Sequence, residues 1–287
     1  MSKERIADDE TTVIPRAERP LPVPTALAAA AATVLTALLY GSALASSTVF
    51  ALAVLVVQGG LVAVWCLVSR PVGLVAVAAV PGAAAILSTG LLAFGSDTSV
   101  APAAAVIALS FIATIAAQLA RRDGRPQLTA AFGSTMTLVV AVCALATMIS
   151  LHRQIGGPAV VEACVGAAGA GLVVARLADL LLPRPTVNYA VPRGAAGVLA
   201  GVLAGAGLAA TSPALTDPMT MPVAALAGAG VALAAILADV GMSFAAAGRE
   251  LIEAPRPQPP LRPLLGPLLG LALAAPAGYV FGLLIFA

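Results

Sequence analysis

Charged residues are scarce in this sequence. Only 10% of the 287 residues are Asp, Glu, Lys or Arg and 60% are hydrophobic, whereas a soluble domain has roughly 25% and 45–50%. This composition excludes an ordinary soluble globular domain. Aromatic residues make up 4% of the chain and the net charge is +2, so the stacking groups and basic surface that nucleic acid requires are missing. We therefore expect no nucleic acid as a partner.

Side chains that commonly carry catalysis or bind metals are also few. The three cysteines, Cys66, Cys143 and Cys164, have spacings unlike any metal motif and are predicted to be small buried apolar residues. The single histidine, His152, stands at an outer helix end, where we expect it to be solvated or to face headgroups. The sequence contains no P-loop, G-x-S-x-G or H-E-x-x-H motif. It therefore predicts neither a metal site nor a cofactor, and it favours a protein that is not an enzyme.

Long apolar runs are what the sequence has in abundance. Runs of about 20 residues recur between short polar breaks, as expected of helices that cross a hydrocarbon core of about 30 Å. Their continuous apolar character favours helices over barrel strands. We predict an all-α polytopic membrane protein, with a disordered cytosolic tail at 1–24 and a single transmembrane domain at 25–287. The predicted spans are 25–45, 48–68, 72–94, 101–120, 130–150, 158–182, 194–211, 220–246 and 264–286.

The positions of the basic residues predict the orientation. Lys and Arg near span ends resist translocation, so cytosolic segments collect them. With the N-terminus in the cytosol, only Arg153 of the 15 Lys and Arg residues lies outside. The C-terminus is then outside, and the number of spans is odd.

The source of the chain and the fate of its first span are further expectations. Abundant Ala, Gly and Pro, with arginine as the main basic residue, are typical of a genome rich in G and C, and we expect the plasma membrane of a bacterium. Ala43-Leu44-Ala45 has the small-x-small form of a signal cleavage site. An uncleaved first helix is favoured, because the tail carries at least as many acids as bases and the apolar run is longer than a usual signal core.

Small residues four apart let helices approach closely in lipid. They favour packing within the chain, with contact between copies in a homo-oligomer as the alternative. Proline in the middle of two spans, at Pro81 and Pro276, should kink or break the helix. The small residues line one face of the seventh span (Gly197, Gly201, Gly205) and one face of the last (Gly266, Gly270, Ala274, Gly278, Gly282).

Ionisable residues at membrane depth are the default candidates for function, because each costs a few kcal/mol to insert. Asp239 lies in the eighth span, with Ser243 one turn later. Arg176 and Asp179 lie three residues apart in the sixth span, a spacing that allows them to pair with each other. Spans six and eight run in the same direction, so both aspartates fall in the inner half of the bilayer. The candidate ligand-binding residues are Arg176, Asp179, Asp239 and Ser243, in a pocket that Arg184, Arg193 and Arg249 would rim.

Three segments of the second half share one pattern: Ala175-Arg176-Leu177, Val191-Pro192-Arg193-Gly194, and Ala238-Asp239 with Ser243. Together they resemble the membrane domain of phosphatidate cytidylyltransferases (CDP-diacylglycerol synthases). Ala175-Arg176-Leu177 is similar to that family's Gly-Arg-Leu run, and Val191-Pro192-Arg193-Gly194 follows where its Ser-Pro-Lys-Lys segment would be. Ala238-Asp239 with Ser243 resembles its Gly-Asp-x-x-x-Ser helix. The resemblance implies Asp239 and Arg193 as the catalytic candidates of a nucleotide-dependent transferase.

The departures from that family concern the groups that would bind metal ions and nucleotide phosphates. Ala168 stands near the first Asp position, and Phe244-Ala245-Ala246-Ala247 replaces Lys-Arg. The loop at 249–262 has neither His-Gly-Gly nor Asp-Arg-x-Asp. The resemblance therefore implies a shared scaffold that has lost catalysis.

Two segments outside the spans suggest protein partners. Thr11 and Thr12 follow three acidic residues in the tail and resemble an acidic kinase site, so they are candidate phosphorylation sites; a merely solubilising tail is the alternative. The Pro-rich loop at 254–263 favours polyproline II geometry, either to dock a partner or as a stiff connector.

Three functions remain open from the sequence. The leading hypothesis is a non-catalytic scaffold or regulator of an envelope or lipid-synthesis complex. The others are a small-molecule or lipid transporter and a cytidylyltransferase-like enzyme that modifies lipids.

Overall fold

The chain folds into a bundle of apolar helices. The computed structural model describes residues 22–96, 98–121, 127–182, 186–188, 191–212, 221–252 and 259–286. The tail with Thr11 and Thr12, Arg184 and most of the 254–263 loop lie outside these residues. The described part contains α1 (Pro22–Ala43), α2 (Ser47–Ser69), α3 (Leu74–Phe94), α4 (Ala101–Ala120), α5 (Leu128–His152), α6 (Gly157–Leu181), β1 (Thr186–Asn188), β2 (Val191–Gly194), α7 (Ala195–Ala210), α8 (Met221–Ile252) and α9 (Arg262–Phe286).

Each predicted span corresponds to one helix, which confirms the all-α polytopic fold. Eight helices of the described part are long and apolar enough to cross a membrane. The seventh is the exception, because α7 has only 16 residues. At 1.5 Å per residue it is about 24 Å long, less than the roughly 30 Å hydrocarbon core. Helix α7 is therefore shorter than the predicted span at 194–211, since Gly194 belongs to the preceding strand and Thr211 ends the helix.

A short β-hairpin joins α6 to α7, a segment in which no strands were predicted. Strands β1 and β2 pair antiparallel, with Thr186 opposite Gly194 and Asn188 opposite Val191. β-branched residues such as Thr and Val favour this extended geometry. Strand β2 packs against α6, α7 and α8, so the hairpin returns the chain to the helices.

The helices form two groups that α1 and α5 connect. Helices α6, α7 and α8 pack closely with one another and α9 packs against α6 and α8, while α2, α3, α4 and α5 form the other group. Helix α1 contacts α6, α9 and α2, while α5 contacts α9 and α6. Helices α5, α6 and α9 are the most enclosed of the long helices, whereas α1 and α4 expose most of their surface.

The two small-residue faces pack inside the chain. An added Cβ at Gly205 would lie 3.0 Å from the backbone oxygen of Ala167 on α6 and 3.1 Å from that of Gly228 on α8. On α9, an added Cβ at Gly270 would lie 2.9 Å from the backbone oxygen of Ala235. The structure thus shows these faces packed within the chain, which is the first of the two interpretations.

The intramembrane prolines do not interrupt their helices. Pro81 lies inside α3, and α9 continues through Pro276 and also through Pro267. Of the kink or break expected at Pro81 and Pro276, the break is therefore wrong, and the kink stays a prediction.

The end of α5 is buried rather than solvated. His152 is only 6% exposed, and its ring stacks on Phe50 of α2 with a centroid separation of 4.8 Å. Its Nε2 donates to the backbone oxygen of Ala43 at 3.0 Å, since a carbonyl can only accept. The expected solvated or headgroup-facing histidine is wrong, because the ends of α1 and α2 cover this position. Next to it, Arg153 donates to the backbone oxygens of Leu92 and Gly95, both at 2.8 Å.

A buried amide joins α2, α3 and α5. Gln58 is fully buried, its Nε2 donates to the backbone oxygen of Val142 at 2.8 Å, and its Oε1 accepts from the Thr89 hydroxyl at 2.8 Å. In lipid such interhelical hydrogen bonds hold helices together, because the hydrophobic effect does not.

We expect Gln58→Leu to lower the free energy of unfolding by about 0.6–2 kcal/mol. The loss is modest, because the Thr89 hydroxyl can turn to a carbonyl of its own helix. Unfolding in mixed detergent micelles measures it. The control is Thr137→Val, since the exposed Thr137 hydroxyl bonds only within α5, to Gly133. Equal effects of the two substitutions would show that the amide does not join the helices.

Candidate functional site

Four charged side chains meet where α6, α8 and the hairpin come together. Arg176 and Asp179 come from α6, Arg193 from β2 and Asp239 from α8, and we call these residues the charge cluster. Asp239 is fully buried, Asp179 is 2% exposed and Arg193 is 3% exposed. The Arg176 side chain is 14% exposed. The cluster is thus nearly closed to solvent.

The charges alternate along the cluster. One carboxylate oxygen of Asp239 pairs with Arg176 and the other with Arg193, the latter at 2.5 Å. Arg193 Nη1 lies 2.8 Å from Asp179 Oδ2, although the angles there are not those of a hydrogen bond. Two guanidinium groups therefore balance two carboxylates, and the formal charge of the cluster is zero.

Asp179 also holds the beginning of α7. Its Oδ1 accepts the backbone N–H of Gly194 at 2.9 Å. Gly194 precedes the first residue of α7 and has no side chain to cap the helix. A carboxylate at a helix N-terminus satisfies a free N–H group and interacts favourably with the helix dipole. A residue of α6 thus supplies the cap that the sequence of α7 lacks.

Glycines on two neighbouring helices make room for the carboxylates. An added Cβ at Gly197 of α7 would overlap Asp179 Oδ1 and would lie 2.8 Å from the backbone oxygen of Ala175. An added Cβ at Gly266 of α9 would overlap Asp239 Oδ1 and would lie 2.9 Å from Arg176 Nη2. The small residues at these positions are therefore part of the site.

Burial makes the cluster costly to assemble. It lowers the pKa of the Arg193 guanidinium, while the carboxylate of Asp239 raises that pKa again. An arginine in a protein nevertheless keeps its proton. Within the cluster, the Nε atoms of Arg176 and Arg193 are buried without a hydrogen-bond partner. Removing one partner of such a network leaves a buried charge uncompensated, which is more costly than removing a matched pair.

The structure brings together three of the four predicted ligand-binding residues and adds Arg193, predicted as a catalytic candidate. Arg176 pairs with Asp239 rather than with Asp179, so the local pair that the sequence spacing suggested is wrong. Ser243 does not join the cluster by its side chain, because its hydroxyl donates to the backbone oxygen of Asp239 at 3.3 Å. Spacing alone gave no indication that Gly266 borders the site.

A small apolar cavity lies deeper in the bundle. Its volume of about 20 Å³ is room for about one water molecule. Ala168 lies eight residues before Arg176, so the cavity is about 12 Å from the cluster along α6. The cavity is lined by Leu39, Phe50, Val54, Leu145, Met148, Cys164, Val165, Ala168, Val231, Leu271, Ala274 and Ala275.

The donor set of the cluster favours ion pairing over metal binding. Both oxygens of Asp239 are engaged by guanidinium groups, and Asp179 faces Arg193 and the Gly194 N–H. A metal ion would need the same oxygens and would lie beside two positive charges. The cluster as it stands can hold helices and hairpin in register.

Comparisons of the chain with protein-family models, with curated proteins and with solved structures found no match.

Proposed function

We propose that this chain is a non-catalytic membrane protein that scaffolds or regulates an envelope or lipid-synthesis complex in the bacterial plasma membrane. The observation that carries the proposal is the mutual engagement of Arg176, Asp179, Arg193 and Asp239. A transferase would need carboxylates free to hold a metal ion, and here both oxygens of Asp239 face arginine. The function then depends on surfaces outside the bilayer, where the tail carries Thr11 and Thr12.

Binding and turnover assays separate the proposal from the enzyme alternative. We expect the purified protein to show neither saturable binding of CTP or phosphatidate in the presence of Mg²⁺ nor CTP-dependent turnover. The matched variant combines Asp179→Asn with Arg193→Gln, which removes one charge of each sign. Single Asp239→Ala is a poor probe, because it leaves two arginines with one carboxylate. CTP turnover that disappears in the double variant would contradict the scaffold and support the transferase.

Phosphorylation of the tail is the regulatory part of the proposal. Two phosphates would add about −3 to −4 charge to the tail and create a target for an arginine-rich module. We expect cross-linking in cells to recover a defined partner with the wild type and much less of it with the Thr11→Ala, Thr12→Ala variant. Both proteins should unfold at the same temperature. Equal recovery from the two strains would reject this part of the proposal.

The proposed orientation places the N-terminus in the cytosol and the C-terminus outside. We expect a membrane-impermeant maleimide to label Ile155→Cys on intact cells but Gln127→Cys only after permeabilisation. Ile155 is 97% exposed, and both positions lie between helices. The background replaces the natural cysteines, Cys66, Cys143 and Cys164, with alanine. The reverse labelling pattern would invert the topology.

A further inference from the structure

Arg193 differs from the other members of the charge cluster in the element that carries it. Arg176, Asp179 and Asp239 lie on long helices, whereas Arg193 lies on strand β2 of the hairpin. From there its guanidinium reaches between α6 and α8 and pairs with both aspartates, at 2.8 Å and 2.5 Å. One side chain of a connecting segment thus joins two membrane helices.

The pairing between the two strands stabilises the hairpin only weakly. Its strands have three and four residues, and their register is irregular. An isolated two-stranded hairpin is at best marginally stable in water. Its position on the bundle therefore depends on contacts of β2 with the helices. Val191 is fully buried and Arg193 is 3% exposed, so these two side chains anchor β2.

The charge balance separates the closed position of the hairpin, which the structure shows, from a withdrawn one. With Arg193 in place the cluster is neutral and closed to water. With Arg193 withdrawn, Arg176, Asp179 and Asp239 carry a net charge of −1, and the two carboxylates have to be hydrated or neutralised. Gly194, between β2 and α7, is the natural pivot because it has no Cβ to restrict its backbone. With Arg193 only partly withdrawn, the carboxylates would have neither their ion pairs nor full contact with water.

We propose that the β1–β2 hairpin is a strap that closes one end of the α6–α8–α9 group, that the Arg193 ion pairs hold it closed, and that its release exposes Asp179 and Asp239 to water. The strap is a conformational device independent of the scaffold function. It gives the membrane domain a way to respond to whatever neutralises an aspartate or competes for Arg193.

The test measures whether a thiol on the strap reacts with a charged maleimide in purified detergent-solubilised protein, so that it does not depend on topology. In the cysteine-free background, Val191→Cys reports on the strap and Leu172→Cys, at a fully buried position of α6, reports on the core. Opening is imposed by the neutral pair Asp179→Asn with Arg193→Gln, which leaves Arg176 and Asp239 paired. Arg153→Gln is the control, because Arg153 binds backbone oxygens elsewhere.

We expect the thiol at 191 to react slowly in the parent and at least about tenfold faster in the neutral-pair variant, because β2 then lacks the two ion pairs that join it to α6 and α8. The thiol at 172 should stay slow in both, and Arg153→Gln should change neither rate. Arg193→Lys should give an intermediate rate, since an ammonium group cannot bridge both carboxylates with a planar fork.

Three results would overturn the proposal. Fast reaction at 191 in the parent would mean that the strap is not closed. Slow reaction at 191 in the neutral-pair variant would mean that Arg193 does not hold it. Equally accelerated reaction at 191 and 172 would mean that the helices separate, so that the cluster stabilises the whole bundle and not a strap.

Discussion

Replacing Asp239 with asparagine should lower the free energy of unfolding by about 3–5 kcal/mol, as expected when a buried ion pair loses one partner. The substitution keeps the shape of the side chain but leaves Arg176 and Arg193 with only Asp179 as a counter-charge. Neither arginine can lose its proton to escape the cost. Unfolding in mixed detergent micelles, followed by circular dichroism, measures the loss.

The double variant of Asp239→Asn with Arg176→Gln tests whether charge imbalance is the cause. It leaves Arg193 paired with Asp179, so we expect it to be more stable than Asp239→Asn alone. Glu162→Gln is the matched control, because Glu162 is a partly exposed acid of α6 outside the cluster. The charge-balance explanation is wrong if Glu162→Gln lowers the free energy of unfolding as much as Asp239→Asn does. It is also wrong if adding Arg176→Gln to Asp239→Asn lowers that free energy further.

The helices could be predicted from the sequence because lipid imposes simple requirements. A spanning segment has to satisfy its own backbone and must be apolar throughout its length, and every such run forms one helix here. The length of α7 was harder to predict, because Gly194 is equally compatible with a helix and with a strand. The pairing of β1 with β2 decides where α7 begins, and β1 lies outside the apolar run that predicted the span.

The cluster could be predicted in its membership but not in its pairing. A charge at membrane depth demands a partner, so Arg176, Asp179 and Asp239 were candidates from cost alone. Their partners depend on how the helices pack, and the structure joins residues that are 63 and 46 positions apart in the chain. Local spacing favoured an Arg176–Asp179 pair, but tertiary contacts override it.

The burial of His152 could not be predicted from the sequence. A lone histidine beside an arginine at a helix end has the pattern of a solvated residue. Its burial results from the ends of two other helices, with Ala43 accepting its hydrogen bond and Phe50 covering its ring. No periodicity within α5 carries that information.

The charges and the glycines of the second half together determine how α7 packs against α6 and α8. Glycine faces bring α7 against α6 and α8 without side chains that would fix the register. Ion pairs between α6, β2 and α8 supply directional contacts, and buried polar groups are best attested as devices that set register. Asp179 belongs to both systems, because it pairs with Arg193 and caps α7. The helix α7 should therefore be sensitive to a single added methyl group.

We expect Gly197→Ala to lower the free energy of unfolding by about 1–3 kcal/mol, the usual cost of overpacking a tight contact. The added Cβ would meet the backbone oxygen of Ala175 at 2.8 Å and the Asp179 carboxylate, so it would displace the cap of α7. This cost works against the gain of up to about 1 kcal/mol that alanine normally brings within a helix. Unfolding in the same micelles measures the balance.

Gly207→Ala is the matched control in the same helix, because an added Cβ there meets nothing within 4 Å. It should leave the stability unchanged or raise it slightly, since only helix propensity is altered. If both substitutions stabilise the protein, α7 has room at Gly197, and neither the cap from Asp179 nor the close approach to α6 can be essential. If only Gly197→Ala destabilises, the position of α7 depends on the carboxylate that the charge cluster holds in place.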